Sequence, residues 1–219
     1  MILTRQSLAT PEPVLPEQGA WTYEDYSLLP NDGWRYEVIK GVLYMAPAPN
    51  TNHQRAISRL LHRLADFVEE RTCGAVFTSP IDVILPGLAS PVQPDILFIA
   101  KERLPIITRQ TIDGAPDLVI EVLSPATLIH DRRIKYKLYE EAGVKEYWII
   151  DVDQSLIEVF ALTNGIYTAS GRYGRGETAS SPLLNGFSGP PPECLQRTPR
   201  AYRRAPRPPQ TPGRPSGWP

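Results

Sequence analysis

The sequence has 219 residues, 42% hydrophobic and 21% charged, with 24 prolines, two cysteines and a net charge of −1. That composition excludes a coreless polar chain and allows one substantial core. Cys73 and Cys194 alone exclude a disulfide framework or cysteine zinc site, and no window approaches the roughly 18 apolar residues of a membrane helix.

Residues 1–20 hold Pro11, Pro13 and Pro16 without any period and read as a flexible N-terminal arm. No apolar run follows Arg5, so the arm does not read as a signal peptide. Thr22 is placed to cap a short helix with Glu24 and Asp25 in its first turn. After the turn Asn31-Asp32-Gly33, strands Tyr36–Ile39 and Val42–Met45 flank Lys40-Gly41, a hairpin signal. From Thr51 to Glu70, Ile57, Leu60, Leu61, Leu64, Phe67 and Val68 recur at helical spacing.

A strand pair is expected at Val76–Ser79 and Ile81–Leu85. The apolar runs Ile96–Ile99 and Leu118–Leu123 suit strands buried on both faces. A second helix, about His130 to Ala142, turns Ile134, Leu138 and Tyr139 inward and stops at Gly143. Tyr147–Ile150 is a further buried strand, and Ile157–Leu162 with Ile166–Ala169 form a hairpin across Asn164-Gly165. This order predicts a mixed α/β (α+β) domain around a central sheet over residues 21–188.

Residues 189–219 hold ten prolines, six arginines and one acid, leaving 17 basic and 23 acidic residues in positions 1–188, a net of −6. The last stretch is expected to be a disordered tail, its sequence the product of a shifted reading frame or an extension. An acidic body argues against holding nucleic acid by bulk positive charge alone.

Acids set into apolar strands are the informative feature. Asp95 lies between Pro94 and a hydrophobic run, Glu121 interrupts Leu118–Leu123, and Glu37 is similarly placed. A carboxylate inside a strand is costly unless paired or holding a metal. Asp95 and Glu121 together read as a hard-cation site, whereas Asp82, Asp117 and Asp151 read as rim acids or caps. His53 reads as a site-rim residue, His62 as solvated, and His130 as part of the turn entering the second helix. Nothing around Ser124 resembles a nucleophile elbow, and Gly171–Gly176 lacks the context of a phosphate loop.

Arg35-Tyr36-Glu37-Val38-Ile39-x-Gly41, Gln93-Pro94-Asp95-Ile96-Leu97 and Pro116–Pro125 resemble a bacterial putative restriction endonuclease family of the PD-(D/E)xK nuclease superfamily. Asp131-x-x-x-Lys135-x-x-x-Tyr139 and Gly143-Val144-x-Glu146-Tyr147-Trp148-x-x-Asp151 match as well, so the resemblance runs from about Thr22 to Phe187. It implies a restriction-endonuclease-like sheet flanked by helices and a Mg²⁺-dependent phosphodiesterase site, with Mn²⁺ as a substitute. Asp95, Glu121 and the main-chain carbonyl of Val122 would bind the metal, and Glu37 resembles the upstream acid. Position 123, where the superfamily has lysine, is leucine. Lys135 looks like the relocated lysine, with Lys137 the competitor.

The implied function is a DNA endonuclease acting in the cytoplasm, with DNA as partner, a homodimer open, and no membrane. Arg35, Arg55, Arg59 and Arg63 form either a phosphate-facing strip or a solvated helix face. The alternatives are a non-catalytic nuclease-fold protein in binding or regulation, and a tail docking through Pro206-Arg207-Pro208-Pro209.

Overall fold

The structure, a computed structural model, describes residues 15–196. Helix α1 (Tyr23–Ser27) starts at a reciprocal capping box between Thr22 and Asp25. Strands β1 (Arg35–Ile39) and β2 (Val42–Ala46) form the expected hairpin. Gly41 has φ +73°, and a Cβ there would meet the Gly19 carbonyl oxygen at 2.3 Å, so the turn requires glycine.

Helix α2 (Thr51–Arg71) follows, capped by the Asn50 side chain on the Asn52 and His53 N–H groups. Strands β3 (Gly74–Thr78), β4 (Asp82–Leu85), β5 (Ala89–Val92), β6 (Ile96–Ala100), β7 (Thr111–Asp113) and β8 (Leu118–Val122) come next. A 3₁₀ segment, Lys101–Ile106, lies between β6 and β7. The second predicted helix begins as a wider π-type turn, His130–Lys135, and continues as α3 (Tyr136–Ala142). Strands β9 (Glu146–Asp151), β10 (Leu156–Thr163) and β11 (Ile166–Tyr173) and the short α4 (Pro192–Gln196) complete the described chain.

The strands divide between two sheets, ordered β2-β1-β5-β4-β7 and β11-β10-β9-β8-β6-β3. The six-stranded sheet is the centre, and its alternation sorts side chains to two faces. Ile96, Phe98, Leu118, Ile120, Val122, Trp148 and Ile150 pack with α2 and the C-terminal segment. Leu97, Ile99, Val119, Tyr147 and Ile149 pack with the five-stranded sheet and α3. The mixed α/β layering therefore matches the sequence expectation, with the smaller sheet occupying the place of a helix layer.

Three expectations need correction. Segments 76–79 and 81–85 are not a pair: β3 pairs with β6, whereas β4 pairs with β5 and β7 in the other sheet. The Thr78 hydroxyl and Ser79 N–H both bond the Asp95 carbonyl, which holds this chain on β6 before it crosses over. Residue 189 is not a structural boundary, because Leu195 is fully buried and Gly189 lies against Trp148. Nor is the arm free at its described end, since Gly19 and Trp21 N–H groups bond the Gly41 carbonyl. The rest of the predicted arm and tail, residues 1–14 and 197–219, lies outside the described residues. Among the described residues, no helix is long and apolar enough to cross a membrane.

Candidate active site

On β8, alternation sends Glu121 to the face of Val119, between the two sheets and under the helix at 130–142. Asp95 immediately precedes β6, on the face of Leu97, and the Ile96↔Ile120 register brings it beside Glu121. The Asp95 N–H approaches Glu121 Oε2 at 3.4 Å, and the Val122 N–H donates to Asp95 Oδ2 at 2.9 Å. Glu37 enters from β1, where its Oε1 accepts the Gln93 N–H at 2.8 Å. Lys135 reaches down from the helix and places Nζ 2.9 Å from both Glu37 Oε1 and Glu121 Oε1.

Glu37, Asp95, Glu121 and Lys135, separated by almost a hundred residues of sequence, thus meet in one cluster, with Asp95 2% and Glu121 and Lys135 each 1% exposed. Lys137 points away and pairs with Glu140 at the surface. Other members are read from sequence only in part: His53 as a site-rim residue, Arg35 as one of a possible strip, Tyr139 as an inward residue. Arg35 Nη1 lies 3.0 Å from Asp95 Oδ1, and His53 Nε2 lies 3.1 Å from Asp95 Oδ2. Extending the α2 stripe backward from Leu60 and Ile57 reaches His53, so periodicity held that signal. Asp131 of the matched motif is buried, 3.9 Å from Lys135. Tyr139 donates its hydroxyl to Glu121 Oε1 at 2.8 Å, and His130 Nε2 lies 3.0 Å from Glu37 Oε2. No local pattern marks His130.

The arginines separate. Arg35 belongs to the cluster, while Arg55 bonds Asn52 and Arg59 bonds the Cys194 carbonyl. They form no continuous strip with Arg35.

Four buried carboxylates, Glu37, Asp95, Glu121 and Asp131, face two permanent cations, Arg35 and Lys135, and two histidines. If all four carboxylates are ionised they outnumber Arg35 and Lys135 by two charges, before either histidine is counted. Burial opposes ionisation of Glu37, but Lys135 and His130 outweigh it and hold its carboxyl down to about 2. His53 and Arg35 do the same for Asp95 against its burial. Glu121 goes the other way: burial, reinforced by Asp95, Asp131 and Glu37, raises it well above the usual carboxylate range despite Lys135. Burial disfavours the Lys135 ammonium, yet Glu121, Glu37 and Asp131 raise it above the ordinary lysine value.

Hard oxygen donors beside an uncompensated negative charge fit a divalent cation. Asp95 and Glu121 are the adjacent pair that could hold one. Among the described residues no group of three His, Cys, Asp or Glu side chains is arranged around a single ion, so main chain and water would complete the shell.

Two cavities approach the cluster. One of about 150 Å³ is lined by Glu37, Tyr44, His130 and Lys135, and one of about 200 Å³ by His53, Glu121, Ser124 and Asp131. Arg35, Ala46, Ala126 and Thr127 border both. The buried Arg35 Nε has no partner among the described residues, nor does His53 Nδ1.

The model of the Uma2 family, whose description reads "Putative restriction endonuclease", matches residues 23–196. A crystal structure of a putative nuclease belonging to DUF820 from Anabaena variabilis ATCC 29413 superposes with a TM-score of 0.66 at 19% identity, over 80% of this chain and 97% of that one. That likeness is one of fold. No curated protein matches the chain.

Proposed function

The chain belongs to the Uma2 family of putative restriction endonucleases, and on that premise we propose that it is a Mg²⁺-dependent DNA endonuclease whose site is the Glu37–Asp95–Glu121–Lys135 cluster. The observation carrying this reading is the buried excess of negative charge beside Lys135, at the border of two cavities. Asp95, Glu121 and the Val122 carbonyl would hold Mg²⁺, with Mn²⁺ as a substitute. When bound, the ion acidifies a water and screens the phosphate.

The chain's own groups have separable tasks. Lys135 is held as a cation by three carboxylates, so it supplies positive charge to the developing oxyanion rather than accepting a proton. Its position 2.9 Å from Glu121 supplies the ammonium that Leu123 cannot, which weighs against a non-catalytic reading. The unpartnered Arg35 Nε–H, on a residue bordering both cavities, is a donor for a phosphate oxygen. Asp95 fixes that guanidinium from behind.

Incubation of purified protein with supercoiled and linear DNA in Mg²⁺, Mn²⁺ or chelator tests the reading. Nicked or linearised plasmid with either ion, and intact plasmid with chelator, is expected. Intact DNA in every condition overturns it.

A further inference from the structure

His130 is a cluster member that has no task in that scheme and reaches a cavity. Its Nε2 lies 3.0 Å from Glu37 Oε2, and its ring packs on Tyr44 with centroids 4.6 Å apart. The side chain is 16% exposed and lines the smaller cavity with Lys135 and Arg35. Nδ1 makes no hydrogen bond with any described residue, in contrast to the fully engaged Lys135. Glu37 is itself fixed, since its Oε1 takes the Gln93 N–H and the Lys135 ammonium. An ionised carboxylate therefore grips one ring nitrogen and leaves the other to the cavity, the arrangement of an oriented acid–base histidine.

We infer that His130 is a further catalytic residue, the proton donor to the leaving oxygen of the phosphodiester; this rests on the nuclease reading above. The nucleophile is a water that has released one proton to solvent. As its oxygen bonds to phosphorus, the bond to the leaving ester oxygen breaks and that oxygen keeps the electron pair. It takes the proton from Nδ1 of the imidazolium, and the neutral ring regains a proton from solvent at the cavity mouth. Glu37 from β1 holds the ring at Nε2, Lys135 on the next turn and Arg35 beside the cavity are the other charges lining it, and Tyr44 from β2 packs against the ring. Lys135 cannot fill this role, because three carboxylates make it a poor acid.

The test compares full-length wild type with His130→Gln after the cut has been mapped on wild type. One substrate is ordinary DNA; the other carries sulfur at the bridging leaving position of the mapped bond, where a thiolate departs without a proton. The glutamine amide still reaches Glu37, so positioning is kept. The expected result is a loss of roughly 10²- to 10⁴-fold on ordinary DNA with the sulfur-bridged rate nearly unchanged. Equal losses on both substrates, or no loss on ordinary DNA, overturn the assignment. If the glutamine variant does not fold, His130→Ala with added imidazole replaces it: recovery on ordinary DNA is expected, and absence of recovery overturns the assignment. Wild type inactive on both substrates would instead remove the nuclease reading, and this inference with it.

Discussion

Lys135 and Lys137 are two residues apart on one helix and have opposite surroundings. Lys135 is enclosed by Glu37, Glu121 and Asp131, while the Lys137 side chain is 66% exposed against Glu140. Lys135→Met leaves buried carboxylates unpaired and is expected to cost about 3–5 kcal/mol in urea melts. Lys137→Met removes an exposed ammonium from Glu140, which keeps the Tyr167 N–H, and should cost under about 1 kcal/mol. The pH dependence separates the acids. Glu37 is held at about 2 against an ordinary 4.5, so its stabilising contribution is complete above 4.5 and is lost as pH falls towards 2. Glu121 is raised, so its contribution is greatest in acid and falls as pH rises through its shifted value. Acid melts of Glu37→Gln are accordingly expected to lose part of the wild-type decline between pH 4.5 and 2. The strand acids stood out in sequence because apolar neighbours isolate them. The partners of those acids stood out less: His53 reads only as a site-rim residue and Arg35 only as one of a possible strip, and His130 sits in an unremarkable local setting.

Elements with regular apolar spacing were legible to within a residue or two. The α2 stripe buries Ile57, Leu60, Leu64 and Val68, and the dense runs became β6, β8 and β9. Two strands escaped because they lack such a run: β5 is Ala89-Ser90-Pro91-Val92 and β7 has three residues. The helix at 130–142 was found with Leu138 and Tyr139 inward, but its buried face also includes Asp131 and Lys135. Charged burial is invisible to a period built on hydrophobic residues. Composition also hid α4, whose proline-rich surroundings conceal a fully buried Leu195. Arg59 on α2 bonds the Cys194 carbonyl beside it. Leu195→Ala is expected to lower stability by about 2–4 kcal/mol, measurable by denaturant unfolding.

For the molecule as a whole, the −6 charge of positions 1–188 has a local counterpart in the uncompensated acids between the sheets. A cation that binds there relieves the strain on Glu121, so millimolar Mg²⁺ should raise the melting temperature of wild type near neutral pH. Glu121→Gln should melt at nearly the same temperature with and without Mg²⁺. The acidic surroundings also imply that productive DNA binding depends on the cation. The most direct measurement is Mg²⁺-dependent plasmid cleavage by wild type beside Asp95→Ala and Glu121→Gln, each shown to be folded by circular dichroism. Cleavage by wild type and none by either folded variant is the predicted result; undiminished cleavage by both variants would contradict the account.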